Sequence, residues 1–218
     1  MNNKHALVCG SSKGIGASTA IELSKLGATI TLLARDKDSL ANVLDSLDTS
    51  KKQNHNFIIA DFDDPFKLKD TIDQHIANNP TIHILINNSG GPKPGPIVDA
   101  NVEDFISAFN RHLICNHILV QAVVPKMKEA RFGRIINITS TSVKEPIKGL
   151  GISNTIRGAV ANWAKTLSFE LGEFGITVNN ILPGYTDTQR LKEIFLNKSK
   201  KSNYDIESIV SDAHSQIP

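Results

Sequence analysis

The chain predicts an α/β protein built on a doubly wound parallel sheet with helices on both faces. Three observations carry that expectation. Short runs rich in Ile, Leu and Val alternate with longer amphipathic segments, the pattern of strands joined by crossover helices. The runs are nearly continuous in apolar residues, as strands covered on both faces require. The first run passes directly into a glycine-rich turn, Gly10-Ser-Ser-Lys-Gly14-Ile-Gly16, and then into helical sequence.

In chain order, the first strand is expected at 6–9, where Ala-Leu-Val-Cys precedes the turn, and the first helix at 14–26. The β-branched run at 29–33 reads as the second strand, and Asp36 as the cap of a helix over 37–47. A third strand at 56–60 leads into a helix at 65–78, and a fourth at 82–86 ends in Asn87-Asn-Ser-Gly90. The stretch 102–130 reads as two helices or one bent helix, with Pro125 late in it and Arg131-Phe-Gly133 ending it. A fifth strand at 134–138, a helix at 154–173 and a sixth strand at 176–182 complete a Rossmann-type order. Past Pro183 the chain continues through a polar helical stretch. With no repeat, low-complexity segment or linker, 1–218 reads as one domain.

Composition narrows the function. A formal net charge of +2, with 40% hydrophobic and 21% charged residues, fits an ordinary globular protein and gives no footprint for nucleic acid. Lys198, Lys200 and Lys201 read as a solvated loop. Cys9 and Cys115 sit in apolar runs without metal-ligand spacing, as buried reduced thiols do. The N-terminal apolar run is too short for a signal peptide, and no run approaches membrane-spanning length. A cytoplasmic protein without a membrane or nucleic-acid partner is expected.

The glycine turn points to a dinucleotide. Gly10 allows the tight turn, Gly14 lets backbone approach a pyrophosphate, and Gly16 lets helix pack on strand. Ser12, Lys13 and Ile15 complete the turn, and the helix behind it aims free N–H groups at phosphate. At the end of the second strand, where a free 2′-hydroxyl calls for an acid, the chain has Ala34 followed by Arg35. Arg35 and Lys13 both suit a 2′-phosphate, which favours NADP(H). The competing reading makes both ordinary surface charges.

The glycine turn, Asn87-Asn88-Ser89-Gly90 and Pro183-Gly184 together resemble the short-chain dehydrogenase/reductase family. That resemblance implies an adenine contact at Asp61-Phe62, close approach of cofactor to Asn88 and Gly90, and a nicotinamide beside Pro183, Gly184 and Thr188. Ser89 stands where the family usually has alanine. Relatives carry Asn, Ser, Tyr and Lys in the active site. Here Ser140 matches the serine at the end of the fifth strand; thirteen positions on, where the tyrosine belongs, stands Ser153; four further on, where the lysine belongs, stands Arg157. Counting back thirteen from Pro125 places His112 at the asparagine. The downstream segment, Gly158-Ala-Val-Ala-Asn-Trp-Ala-Lys-Thr-Leu167, supports this register. No tyrosine precedes Tyr185.

Three of the four roles are therefore substituted. A phenol of pKa about 10 exchanges protons near neutrality once its pKa is lowered, whereas a serine hydroxyl is far less acidic and shorter. Arg157 stays protonated; it can bind ribose hydroxyls, as the family lysine does, but is a poor proton relay. His112 suits acid–base work, or is a satisfied structural residue. Tyr185 supplies a phenol from the other side, or packs at the pocket. Two functions remain open. One is an NADPH-dependent oxidoreductase delivering hydride to a small carbonyl or conjugated enone or enoyl substrate. The other is a catalytically silent NADP(H)-binding sensor or partner subunit. The 91–100 and 141–152 loops and the segment after 184 would line a small-molecule pocket. The resemblance further implies a homodimer or homotetramer paired through 102–130 and 154–173. It also implies a final edge strand that this chain lacks, unless the chain given is incomplete.

Overall fold

The computed structural model describes residues 1–78, 81–202 and 204–215. Six strands form one parallel sheet: β1 (His5–Cys9), β2 (Thr29–Ala34), β3 (Asn56–Ile59), β4 (Ile84–Asn87), β5 (Gly133–Ile138) and β6 (Ile176–Ile181). Their spatial order is β3-β2-β1-β4-β5-β6, so the order reverses between β1 and β4. That switch point is where doubly wound sheets open a crevice at the carboxyl ends of their strands. Registers run Val8 against Leu32, Val8 against Ile86, and Asn87 against Asn137. No seventh strand occurs among the described residues.

The apolar runs are continuous because alternate residues enter two different cores. Leu7, Cys9, Leu33, Leu85, Ile135 and Val178 pack with Leu68 and Ile72 of α3 (Pro65–Asn78), Leu119 and Val123 of α5 (Cys115–Glu129), and Ala164 and Leu171 of α6 (Gly151–Leu171). On the other face, Ala6, Val8, Ile30, Leu32, Ile84 and Ile86 meet Ala20 of α1 (Gly14–Lys25) and Leu40 of α2 (Lys37–Asp45). Asp36 caps α2 as expected, its carboxylate accepting the Ser39 N–H at 2.7 Å.

The stretch expected at 102–130 is helical throughout, but its middle is neither a break nor a simple bend. The α4 helix (Val102–Phe109) passes into a π turn, Asn110–Ile114, and then into α5, with Pro125 inside α5. The end does fall at Arg131, whose φ of +50° closes the helix as the Phe132 N–H returns to Met127 O at 3.1 Å. Two element starts shift by more than one residue. The fourth strand begins at Ile84 and includes Asn87. The sixth helix begins at Gly151, because Gly95 and Gly149 are joined by a 2.6 Å hydrogen bond and Gly151 N–H donates to Gly95 O at 3.1 Å. Lys198 and Lys200 lie exposed on a helix, α7 (Gln189–Ser202), and not on the loop expected there; the Lys201 side chain lies outside what is described.

The chain divides into two compact units, Met1–Leu182 and Pro183–Pro218. The second contains α7 and α8 (Ile206–Ser215). Among the described residues no helix is long and apolar enough to cross a membrane.

The amino ends of the strands carry histidines. His5 Nε2 lies 2.7 Å from Thr31 Oγ1, and the His5 N–H donates to His83 Nδ1 at 3.2 Å. Burial, and after it the neighbouring His75, His83 and His55, lowers the His5 pKa from 6.5 to about 4. The unfolded chain therefore binds the extra proton first. The contribution of His5 to stability is full above pH 6.5, falls as pH drops towards 4, and is lost below it. One unit of pKa shift corresponds to about 1.4 kcal/mol, so this residue alone removes about 3 kcal/mol over that window. Urea melts at pH 7.5, 6 and 5 should show the decline and His5→Gln should flatten it; a wild-type midpoint independent of pH would contradict it.

Candidate active site

The glycine turn is held from three sides. Gly10 and Gly14 have φ of +58° and +57°, which glycine adopts without steric cost. Asn88 Nδ2 donates to Cys9 O and Gly10 O, each at 3.2 Å, strapping the end of β4 to the end of β1. Ser11, buried, accepts the Leu33 N–H at 2.9 Å and ties the turn to β2. The reason for Gly16 is packing: a Cβ there would stand 2.3 Å from Gly10 O. A Cβ at Gly90, by contrast, would meet nothing within 4 Å, leaving open space beside the turn.

Helix α1 starts at Gly14 with no side-chain cap from Lys13 and no acid in its first turn. Its leading N–H groups and positive dipole end are unneutralised by the chain itself, which suits a phosphate. Ser12 and Ile15 are half-buried in this turn and Lys13 is exposed. These features fit a bound dinucleotide.

Arg35 emerges at the tip of β2 with its side chain largely exposed, but it does not stand alone. Its Nη1 lies 3.7 Å from Asp61 Oδ2 and 3.6 Å from Asp63 Oδ2. The sequence reading missed Asp63, although Asp61-Phe-Asp-Asp64 was visible as an acidic run. Phe62 turns its side chain into the core, and its carbonyl accepts from the Cys115 thiol at 3.3 Å, so only its backbone can face a ligand. Burial pushes that thiol up to about 12, making it an inert structural group.

At the carboxyl end of β5, Ser140 accepts the Ser142 N–H at 3.1 Å and caps a short 3₁₀ turn. Arg157, on α6, donates from Nη1 to Ile138 O at 2.8 Å, which brings its guanidinium to the same strand end. Ser153, half-buried, lies one helical turn before Arg157 on the same face.

His112 is buried inside the π turn, and its Nδ1 lies 2.8 Å from Ser89 Oγ. Two residues that the resemblance reads as substitutions thus touch each other, a pairing that residue spacing gave no means of finding. Asn87, the residue before Asn88, belongs to a ladder across the sheet. Its Nδ2 donates to Asn137 Oδ1 at 2.8 Å, and Asn137 Nδ2 donates to Asn180 Oδ1 at 3.1 Å.

Pro183, Gly184, Tyr185 and Thr188 belong to the second unit. There Thr188 Oγ1 accepts the Leu191 N–H at 3.3 Å, capping α7, and the Tyr185 ring packs 6.0 Å from Phe195.

Residues 4–199 match the family described as short chain dehydrogenase. The chain is 26% identical over 219 residues to the NADPH-dependent reductase BacG of Bacillus subtilis, covering 100% of this chain and 85% of that protein. It is 32% identical over 196 residues to an NADPH-dependent aldehyde reductase-like chloroplastic protein of Arabidopsis thaliana, covering 84% and 73%. The structure of L-sorbose reductase from Gluconobacter frateurii, complexed with NADPH and L-sorbose, superposes with a TM-score of 0.87 at 26% identity, covering 96% of this chain and 80% of that one.

Proposed function

The chain belongs to the short-chain dehydrogenase family, and on that footing we propose that it is an NADPH-dependent oxidoreductase of small carbonyl or conjugated enone substrates, from a branch lacking the Tyr–Lys pair. The observation that carries the reading is the uncapped start of α1 behind the glycine turn, with Ala34 where a free 2′-hydroxyl calls for an acid and Arg35 next to it. The turn and α1 would hold the pyrophosphate, Arg35 and Lys13 the 2′-phosphate, and Asp61 the adenine amine. Family resemblance adds Arg157 at the ribose and Pro183, Gly184 and Thr188 at the nicotinamide.

When bound, NADPH supplies the hydride. The chain's own residues would then stabilise charge on the substrate oxygen. Ser140 accepts from a backbone N–H, so its own O–H is left to donate to that oxygen. Arg157 donates to Ile138 O and keeps a fixed positive charge at the strand end. This set gives hydrogen-bond donors but no acid of phenol strength, which favours conjugate addition, where an enolate oxygen needs stabilisation more than protonation. His112, held by Ser89, is the group suited to protonating carbon, with water as its alternative.

Ser140→Ala should lower kcat about 100-fold, the effect of one lost oxyanion donor, while leaving NADPH affinity within twofold of wild type. The deciding experiment is NADPH oxidation by the purified chain against matched enones and saturated ketones. Turnover of ketones alone would overturn conjugate addition. Saturable NADPH binding without any turnover would favour the second reading, a silent sensor or partner subunit, which the serine at 153 and arginine at 157 motivate.

A second copy of the chain is the proposed partner. Val102, Ile106 and Phe109 form an exposed apolar stripe on α4, and Phe169 of α6 is 81% exposed. These are the helices through which family members pair.

A further inference from the structure

The neighbourhood of Arg35 poses an electrostatic problem for a phosphorylated ribose. Asp61 and Asp63 both face its guanidinium, so Arg35 meets two carboxylates before any ligand arrives. Asp64 adds a third carboxylate in the same turn, although it is engaged as the cap of α3, accepting the Lys67 N–H at 3.0 Å. A phosphate monoester brings about −1.5 to −2 further charge near neutrality.

Arg111, in the π turn beside His112, pairs with one of these carboxylates. Its Nε donates to Asp63 Oδ1 at 2.8 Å, and its Nη2 donates to the same oxygen. That is hydrogen-bond contact, whereas Arg35 lies 3.6 Å from the other oxygen of Asp63, beyond a normal N–H···O length. Asp63 therefore belongs first to Arg111. The Arg111 side chain is only 27% exposed, so its hold on Asp63 is less screened than a freely solvated pair. Glu103 lines the same cleft as Asp63 and Arg111.

We propose that Arg111 is a selectivity-determining residue for the phosphorylated dinucleotide, acting by withdrawing Asp63 from Arg35 and cancelling its repulsion of the 2′-phosphate. The proposal rests on the NADPH reading above. The free ribose hydroxyls of NADH carry no charge, so the same arginine should matter little to them.

The test is direct binding of NADPH and NADH to the full chain, followed by cofactor fluorescence, with Arg111→Gln, Asp63→Asn and the double variant. Arg111→Gln should weaken NADPH about tenfold, the effect of one charge removed at close range, and NADH by less than twofold. Adding Asp63→Asn should bring NADPH back to within about threefold of wild type, because the repelling carboxylate is gone. The restoration also separates charge from damage to the fold, as a collapsed π turn would not be repaired by a second substitution. Equal weakening of both nucleotides, no weakening of either, or no restoration would overturn the proposal. A wild-type chain without preference for NADPH would instead overturn the cofactor reading beneath it.

Discussion

Gly16→Ala is expected to abolish saturable NADPH binding and to lower the melting temperature by about 10 °C, corresponding to about 3 kcal/mol in a chain of this size. The added methyl would lie 2.3 Å from Gly10 O, 2.7 Å from Gly10 C and 2.9 Å from Asn88 Nδ2. None of these atoms can yield cheaply. Gly10 is held at positive φ, and its carbonyl is gripped by Asn88 from the end of β4. Helix α1 must therefore move away from β1, taking its N-terminal N–H groups from the phosphate position. The same substitution at Gly158, inside α6 with nothing within 4 Å of the new methyl, should raise stability by about 0.5–1 kcal/mol. Thermal melts and nucleotide titration of the two variants check the contrast. An unaffected Gly16→Ala would refute the close approach of helix to turn.

Arg35→Ala should weaken NADPH by about 30- to 100-fold, the loss of a charge-assisted guanidinium–phosphate contact of roughly 2–3 kcal/mol. NADH should stay within about twofold. The asymmetry is enlarged by what remains: without Arg35, the Asp61 carboxylate loses the cation beside it and repels a phosphorylated ribose, while an uncharged ribose is not repelled. The NADPH affinity of wild type should also fall as salt is raised, since the contact is largely exposed. Equal losses for the two nucleotides would remove the cofactor assignment.

The glycine turn was legible because it is local. Positive φ at Gly10 and Gly14 and the tight seat of Gly16 are demands on single positions, and only glycine meets them. Asp36 was legible for the same reason, since its capping bond spans three residues. Ser140 and Arg157 were singled out by register, and the two lie at one strand end: Ser140 just past β5, and Arg157 through its bond to the Ile138 carbonyl. Phe62 illustrates the limit: its place in a site was expected, but in the turn after β3 its ring packs into the core.

The amino-acid sequence by itself determined the order of six strands and their crossover helices, the nucleotide turn and the cation at the tip of β2. Those features follow from backbone sterics, side-chain period and the sign of a charge, all of which act over a few residues. Only the tertiary structure decided that Ser89 meets His112, that Arg111 reaches Asp63 from 48 residues away, and that Asn87, Asn137 and Asn180 form one ladder. Those contacts depend on strand register and on the phase of the helix beyond α4. A π turn resets that phase, and nothing in the local sequence announces it.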